Sequence, residues 1–288
     1  MRVICFGSGS NGNSLLVQSD DTAVLIDSGV PVRTLRTSLR EAGVADGGLS
    51  AVLISHEHSD HVRSAPQIAK YHRVPYFGTA GTRRALERSI RCDWLQMSEG
   101  VSFSIGSLEI VPVAVSHDAN EPVGFVVSDG ELRVAIFTDL GEPSTDVASA
   151  IRGASLIVLE SNYDEVMLRN GPYPVHLKRR IRGPLGHLAN DVCATMLVNA
   201  VDGQTRDVWL AHLSEQNNHP RIARETSEVS LKSSSQEIKV STLPRYGSTL
   251  AWDSTEADAR PRQASLFGHA AESVKRMTGL FGEDDDAD

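Results

Sequence analysis

The feature that most constrains this chain is the stretch His56-Glu57-His58-Ser59-Asp60-His61, which places three imidazoles and the Asp60 carboxylate within six residues. Imidazole and carboxylate together suit borderline-soft divalent ions. The apolar run Ala51-Val52-Leu53-Ile54 just before it reads as a buried strand. Side chains alternate after such a strand, so His56 and His58 point the same way and Asp60 and His61 can serve a neighbouring ion. One loop can therefore seed two metal sites, but it cannot complete them. Three isolated donors follow later apolar runs: His117 after 108–115, Asp139 after 134–138 and His212 after 208–211. Together they supply the missing coordination.

The pattern around these donors is that of an α/β chain. Residues 3–6, 14–18 and 23–27 read as short strands of a meander, separated by turn-rich segments. A helix is expected over 32–42, with Leu35 and Leu39 on one face and Gly43 as its stop. Further strands are expected at 75–77, 108–115, 124–127, 134–138 and 156–160, and a last hairpin at 237–241 and 248–252. The polar stretch 224–236 fits helix or loop. An early meander followed by strand–helix alternation points to a sandwich with helices outside two sheets.

With 40% apolar and 23% charged residues, 288 residues can bury one large α/β domain or two small ones. The longest apolar runs fall far short of the ~20 residues that span a bilayer, so no membrane helix is expected. The start of the chain lacks the apolar core of a secretory signal, so the protein is expected to stay in the cytoplasm. Cys5, Cys92 and Cys193 are widely spaced and form no C-x-x-C pair, so they are expected to stay reduced. The net charge of −9 argues against indiscriminate coating of nucleic acid. Five of the negative charges lie in the last six residues, so the body is much less acidic than that total. We divide the chain into a domain at 1–252 and an acidic, disordered tail at 253–288, within which Val274, Met277, Leu280 and Phe281 mark a short amphipathic piece. The glycine-rich segment 7–13 has no G-K-[ST] ending and leads into a strand, which excludes a nucleoside triphosphate loop. Its glycines and asparagines instead suit a tight turn near the metals, with amides free to meet substrate.

The order HxHxDH, His, Asp, His resembles the metallo-β-lactamase superfamily over residues 1 to about 252. Five further segments are similar to its YycJ/WalJ (VicX-type) group, itself related to ribonuclease Z and the β-CASP nucleases. They are Phe6-Gly7-Ser8-Gly9-Ser10-Asn11-Gly12-Asn13-Ser14, Leu25-Ile26-Asp27-Ser28-Gly29, Leu159-Glu160-Ser161-Asn162-Tyr163-Asp164, Gly186-His187-Leu188-Ala189-Asn190 and Ala211-His212-Leu213-Ser214-Glu215-Gln216-Asn217-Asn218. The fourth departs from the group in carrying Ala189 where Ser is usual. The resemblance implies a four-layer αββα sandwich with the metals at the edge between its sheets. It also implies His56, His58 and His117 on a first ion, Asp60, His61 and His212 on a second, and Asp139 bridging them. Glu160 and His187 stand where related nucleases carry an acidic residue and a histidine that assist phosphodiester cleavage, although a supporting role fits both. Asp60 is expected to orient the attacking water and take its proton, and His187 to protonate the departing alkoxide. Two divalent ions are expected, zinc from the imidazole-rich set, with manganese the alternative that the carboxylates allow.

The fold serves β-lactams, thioesters, lactones and phosphodiesters, so local sequence has to choose the substrate. Lys178, Arg179, Arg180 and Arg182 precede His187 and would attract a phosphate backbone. Arg83, Arg84, Arg88 and Arg91 form a second run, whose spacing puts the last three on one helical face. The resulting expectation is a DNA exonuclease, with 5′ to 3′ polarity implied by the group. The rival readings are a thioester or lactone hydrolase with a narrow apolar pocket, and a regulatory binding protein of the same fold.

Overall fold

Residues 24–26 show how the chain partitions its apolar side chains: Val24 and Ile26 enter one core and Leu25 another. Strands buried on both faces read as continuous apolar runs, and here each run feeds two cores by strict alternation. The computed structural model describes residues 1–233, 238–245 and 249–255. In chain order they form β1 (Arg2–Gly7), β2 (Ser14–Ser19), β3 (Thr22–Ile26), α1 (Val32–Glu41), β4 (Ala51–Leu53), α2 (Ser59–Val62), α3 (Ala65–His72), β5 (Tyr76–Gly78), α4 (Ala80–Leu86), β6 (Trp94–Gln96), β7 (Phe103–Ile105) and β8 (Leu108–Ala114). The second part comprises β9 (Val123–Ser128), β10 (Arg133–Phe137), α5 (Thr145–Ala150), β11 (Leu156–Glu160), α6 (Glu165–Asn170), α7 (Val175–Arg182), α8 (Asn190–Ala200), β12 (Asp207–Ala211), α9 (Pro220–Ser233), β13 (Lys239–Thr242) and β14 (Leu250–Asp253).

These strands build two seven-stranded sheets, ordered β14-β1-β2-β3-β4-β5-β6 and β13-β12-β11-β10-β9-β8-β7. The central core lies between them, with Val3, Val24, Ile26 and Leu53 facing Phe125, Ile136, Val158 and Trp209. On the outer face of the first sheet, Leu25, Val52 and Ile54 pack on Leu35, Leu39 and Ile68 of α1 and α3. On the outer face of the second, Phe137, Ile157 and Leu210 pack on Val147, Cys193 and Leu197 of α5 and α8. The layers therefore run helix, sheet, sheet, helix, as the sequence pattern leads one to expect.

Two expectations need correction. The last two strands are not a hairpin: β13 runs parallel to β12 in the second sheet, whereas β14 runs antiparallel to β1 in the first. Local alternation identifies a strand but carries no information on which sheet edge is open to receive it. The basic face expected from Arg84, Arg88 and Arg91 does not form either, because α4 ends at Leu86. The stretch 224–236 resolves in favour of helix as far as Ser233. Among the described residues, no helix is long and apolar enough to cross a membrane. The amphipathic piece at 274–281 lies outside the described residues.

The parallel strands fix where chemistry can occur. β3 and β4 are parallel, as are β10, β11 and β12, while β8 and β10 both run antiparallel to β9. The carboxyl ends of these strands give rise to Asp27, His56, His117, Asp139, Glu160 and His212. A crevice beyond the carboxyl ends of parallel strands is the usual ligand site of such sheets.

Candidate metal centre

Three residues at those strand ends, Asp27 (φ 57°), Asp139 (φ 55°) and His212 (φ 55°), adopt the left-handed backbone region. A non-glycine residue there costs about 1–2 kcal/mol, and such strain gathers where structure is held for function. In each case the turn aims a buried side chain along the sheet edge.

Proton accounting settles which ring nitrogens face inward. Asp27 accepts from the amide and the hydroxyl of Ser55 (2.9 and 2.8 Å) and from His61 Nδ1 (2.7 Å). With its own proton spent on Asp27, Ser55 Oγ accepts from His56 Nδ1 at 3.0 Å. His117 Nδ1 donates to the Gly186 carbonyl (3.1 Å) and His58 Nε2 to the Asp118 carbonyl (3.2 Å). The inward atoms of this trio, His56 Nε2, His58 Nδ1 and His117 Nε2, are therefore lone pairs. His117 Nε2 and His58 Nδ1 face each other at 3.3 Å, and His56 Nε2 is buried with no hydrogen-bond partner among the described residues. Burial, then the neighbouring charge of His61, holds His56 well below the ordinary histidine range. Burial likewise lowers His117. Neutral imidazoles with converging lone pairs are what a divalent ion requires.

A second group stands beside the first. His212 Nδ1 donates to Glu160 Oε1 at 2.8 Å; its buried Nε2 has no hydrogen-bond partner among the described residues and lies 3.5 Å from Asp60 Oδ2. His61 Nε2 lies 3.6 Å from Asp60 Oδ2 and 3.0 Å from Asp139 Oδ2. Ligand atoms of Asp60, His61, Asp139 and His212 all fall within 4.8 Å of one another, as do those of His56, His58 and His117. Asp139 Oδ1 is also 3.8 Å from His117 Nε2, so this carboxylate reaches both groups. Burial opposes charge on His61 and His212, yet the surrounding carboxylates push both upward, His212 to about 10. Such a cage attracts positive charge, which protons supply here and which a metal ion can supply in their place.

Glu160 is the base of the site and not part of its surface. Its side chain is fully buried; Oε2 accepts from the amides of Leu140 (2.7 Å) and Leu188 (3.1 Å), and Oε1 accepts from His212 and His187 (both 2.8 Å). No lone pair is left for substrate, so Glu160 acts by orienting two imidazoles. His187 is half-buried, and with Nδ1 held by Glu160 its Nε2 is the atom available to the cleft. Burial works to lower His187, but the Glu160 carboxylate outweighs it and the group is raised.

The loop at 7–13 reaches the centre, as its turn chemistry suggests. Asn13 Nδ2 donates to Asp60 Oδ2 (3.2 Å) and lies 3.0 Å from His61 Nε2, and Ser8 Oγ accepts from the His212 amide (2.8 Å). Asn13 N bonds the Asp60 carbonyl and Ser28 N the His61 carbonyl, strapping the His61 turn to two neighbouring loops. Gly29 is obligatory at this strap, because a Cβ there would lie 1.5 Å from Asp60 O.

The matching family is the beta-lactamase superfamily domain, over residues 22–205. The chain belongs to that superfamily. This superfamily member is 34% identical over 221 residues to the exodeoxyribonuclease YycJ of Bacillus anthracis, across 75% of this chain and 84% of that protein. It is 30% identical over 225 residues to the exodeoxyribonuclease WalJ of Streptococcus pneumoniae, across 76% and 84% respectively. It therefore belongs with these relatives and is a metallo-hydrolase. The metallo-β-lactamase fold protein YhfI of Bacillus subtilis shares the fold, with a TM-score of 0.68 and 16% identity over 87% of this chain and 98% of that one.

The basic segment of this superfamily member is largely committed to internal partners. Lys178 Nζ donates to the carbonyls of Arg169 (2.8 Å) and Gly171 (2.7 Å), closing the end of α6. Arg182 pairs with Glu165 (3.1 Å). Arg180 grips Asp118 (2.9 Å), the neighbour of His117, and lines a small pocket with His117 and His187. Arg179 is exposed, and among the described residues it has no ion-pair partner. Arg83 pairs with Glu87 and Arg84 with Glu121. Of the residues around the centre, Ser8, Asn13, Asp27 and Ser55 were not singled out as functional from sequence. Ser8, Asn13 and Asp27 each lie inside a segment that resembles the YycJ/WalJ group, and Asp27 also closes an apolar strand, whereas Ser55 carries no such signal.

Proposed function

We propose that this chain is a dinuclear metallo-phosphodiesterase that shortens DNA from a 5′ end. The observation that carries the metal reading is the pair of histidine lone pairs, His58 Nδ1 and His117 Nε2, opposed at 3.3 Å with each ring's other nitrogen bonded to a carbonyl. A shared proton or a metal ion makes that contact favourable, and His56 Nε2, unpartnered among the described residues, and the nearby Asp139 carboxylate suit the metal. His56, His58 and His117 would hold one ion, Asp60, His61 and His212 the other, with Asp139 between them. The donor chemistry favours zinc, and the carboxylates leave manganese as the second choice. When bound, such ions activate a water near neutral pH and neutralise phosphoryl oxygens. The DNA reading is supported by the relatives, both named exodeoxyribonucleases.

Within this reading the residues divide the work. Asp60, steadied by Asn13, orients the attacking water and takes its proton. His187, kept proton-bearing by Glu160, delivers a proton from Nε2 to the departing alkoxide. Arg180, still holding Asp118 through Nε and one Nη, has donors left for a phosphate oxygen. The three free cysteines suit a reducing, cytoplasmic setting.

The test is to load the protein with zinc or manganese and offer it 5′- and 3′-labelled single- and double-stranded DNA and RNA, with a chromogenic lactam and a thioester alongside. Loss of mononucleotides from the 5′ end of DNA is expected. Cleavage should be abolished in His56→Ala/His58→Ala and reduced about 10²- to 10⁴-fold in His187→Ala, whose metal content stays at the wild-type value. Turnover of only the small esters, or normal cleavage by His187→Ala, would remove the nuclease reading or the acid role respectively.

A further inference from the structure

A second cavity opens on the same sheet edge, on the other side of the loop that carries His117. It measures about 310 Å³ and lies where β5, β6 and β8 end and β9 begins. Its floor is apolar, formed by Met97, Val115 and Val123, which are all buried. Its rim is polar, with exposed Gln96, Ser98 and Glu99.

The wall between this cavity and the metal histidines is thin and stiff. Val115 lines the cavity, and His117, two residues further on, faces the metal group; two residues span at most ~7 Å, comparable to the distance from a nucleotide's phosphate to its base. Val123 donates its amide to the carbonyl of Ser55, the residue before His56 (3.1 Å). Asn120 is tied to Glu57 (2.9 Å), and Glu121 to the Gly81 amide (2.8 Å) and Arg84 (3.4 Å). The cavity is therefore a fixed distance from the centre. None of its lining residues is basic, and Glu99 carries a carboxylate with no ion-pair partner among the described residues, so a phosphate or carboxylate would be repelled. A flat, neutral ring with N–H groups on one edge fits an apolar floor below a rim of acceptors.

We propose that this cavity is a nucleobase subsite, which takes the base of the nucleotide next to the scissile phosphate and favours bases that carry an exocyclic amino group. The inference rests on the phosphodiesterase reading above. Glu99 would accept from the amino group of cytosine or adenine, which thymine lacks.

The experiment compares kcat/KM for deoxycytidine 5′-(p-nitrophenyl phosphate), its thymidine counterpart and bis(p-nitrophenyl) phosphate, which has no base. Wild type is expected to prefer the cytidine ester over the baseless one at least tenfold. Ala114→Phe, which fills the cavity, and Ser98→Trp, which closes its mouth from an exposed position, should each collapse that ratio to within twofold. Glu99→Ala should erase the cytidine-over-thymidine preference and keep the preference for a base. A ratio that survives both bulky substitutions overturns the subsite, as does a wild-type protein that treats all three esters alike. A wild-type protein that cleaves none of them overturns the phosphodiesterase reading itself.

Discussion

At Asp27 a carboxylate in the left-handed region accepts three hydrogen bonds and sets the proton on two imidazoles of different proposed metal groups, His61 directly and His56 through Ser55. Asn in its place would present N–H to groups that already donate. Asp27→Asn is therefore expected to keep its secondary structure but bind metal about 10- to 100-fold more weakly, as measured by equilibrium dialysis against a competing chelator; wild-type affinity would show the proton accounting to be wrong. His72 makes a different prediction, about acid stability. Its ring is buried, among the described residues neither nitrogen has a hydrogen-bond partner, and burial lowers its pKa below the ordinary value. A base with a depressed folded-state pKa contributes stability above its unfolded value and loses it as pH falls, because the unfolded chain takes the proton first. Stability should decline as pH drops below about 6.5, and urea melts across pH 5 to 7 should show a shallower decline for His72→Leu.

At the scale of elements, the Gly29 approach to Asp60 fixes how the β3 loop, the glycine-rich loop and the His61 turn fit together. Gly29→Ala should push the Asp60 backbone aside and cut bound metal from two ions per chain to one or fewer. Metal analysis together with a thermal melt would test this; two ions retained at an unchanged Tm would count against it. The convergence of the seven proposed donors was legible in the sequence because they lie at or just beyond the ends of apolar runs, and strand ends on one sheet edge converge whatever the loops do. The bond from Asn13 to Asp60 and the place of Ser55 were not, since a neutral residue announces its partners only through contacts made in space. The same limit explains Lys178, whose charge suggested a phosphate while its partners are carbonyls at the end of α6. It also explains β13 and β14, whose alternation is clear but whose partners lie some 30 and 250 residues away. Three of the recognised segments turn out to have one common purpose: Ser161, Asn190 and Asn218 bond one another in a buried network that holds the Glu160, His187 and His212 loops together.

For the molecule as a whole, the proposed ligands come from both halves of the sandwich, His56, His58, Asp60 and His61 from the first sheet's edge and His117, Asp139 and His212 from the second. Ions held there tie the sheets together, so binding free energy adds to folding free energy. At a thousandfold excess over Kd this amounts to roughly 4 kcal/mol, and chelation should lower Tm by on the order of 10 °C; calorimetry with and without a chelator checks this, and an unchanged Tm would mean that the folded chain holds no ion there. The seam position also has a consequence for biogenesis. The ligands proposed for the second ion span residues 60 to 212, and the β1 edge of the first sheet waits for β14, so a nascent chain can complete that second set only after β12 has been made. Full metal uptake would then report that the halves have met: a chain in which they have not lacks His117, Asp139 and His212 to complete either set.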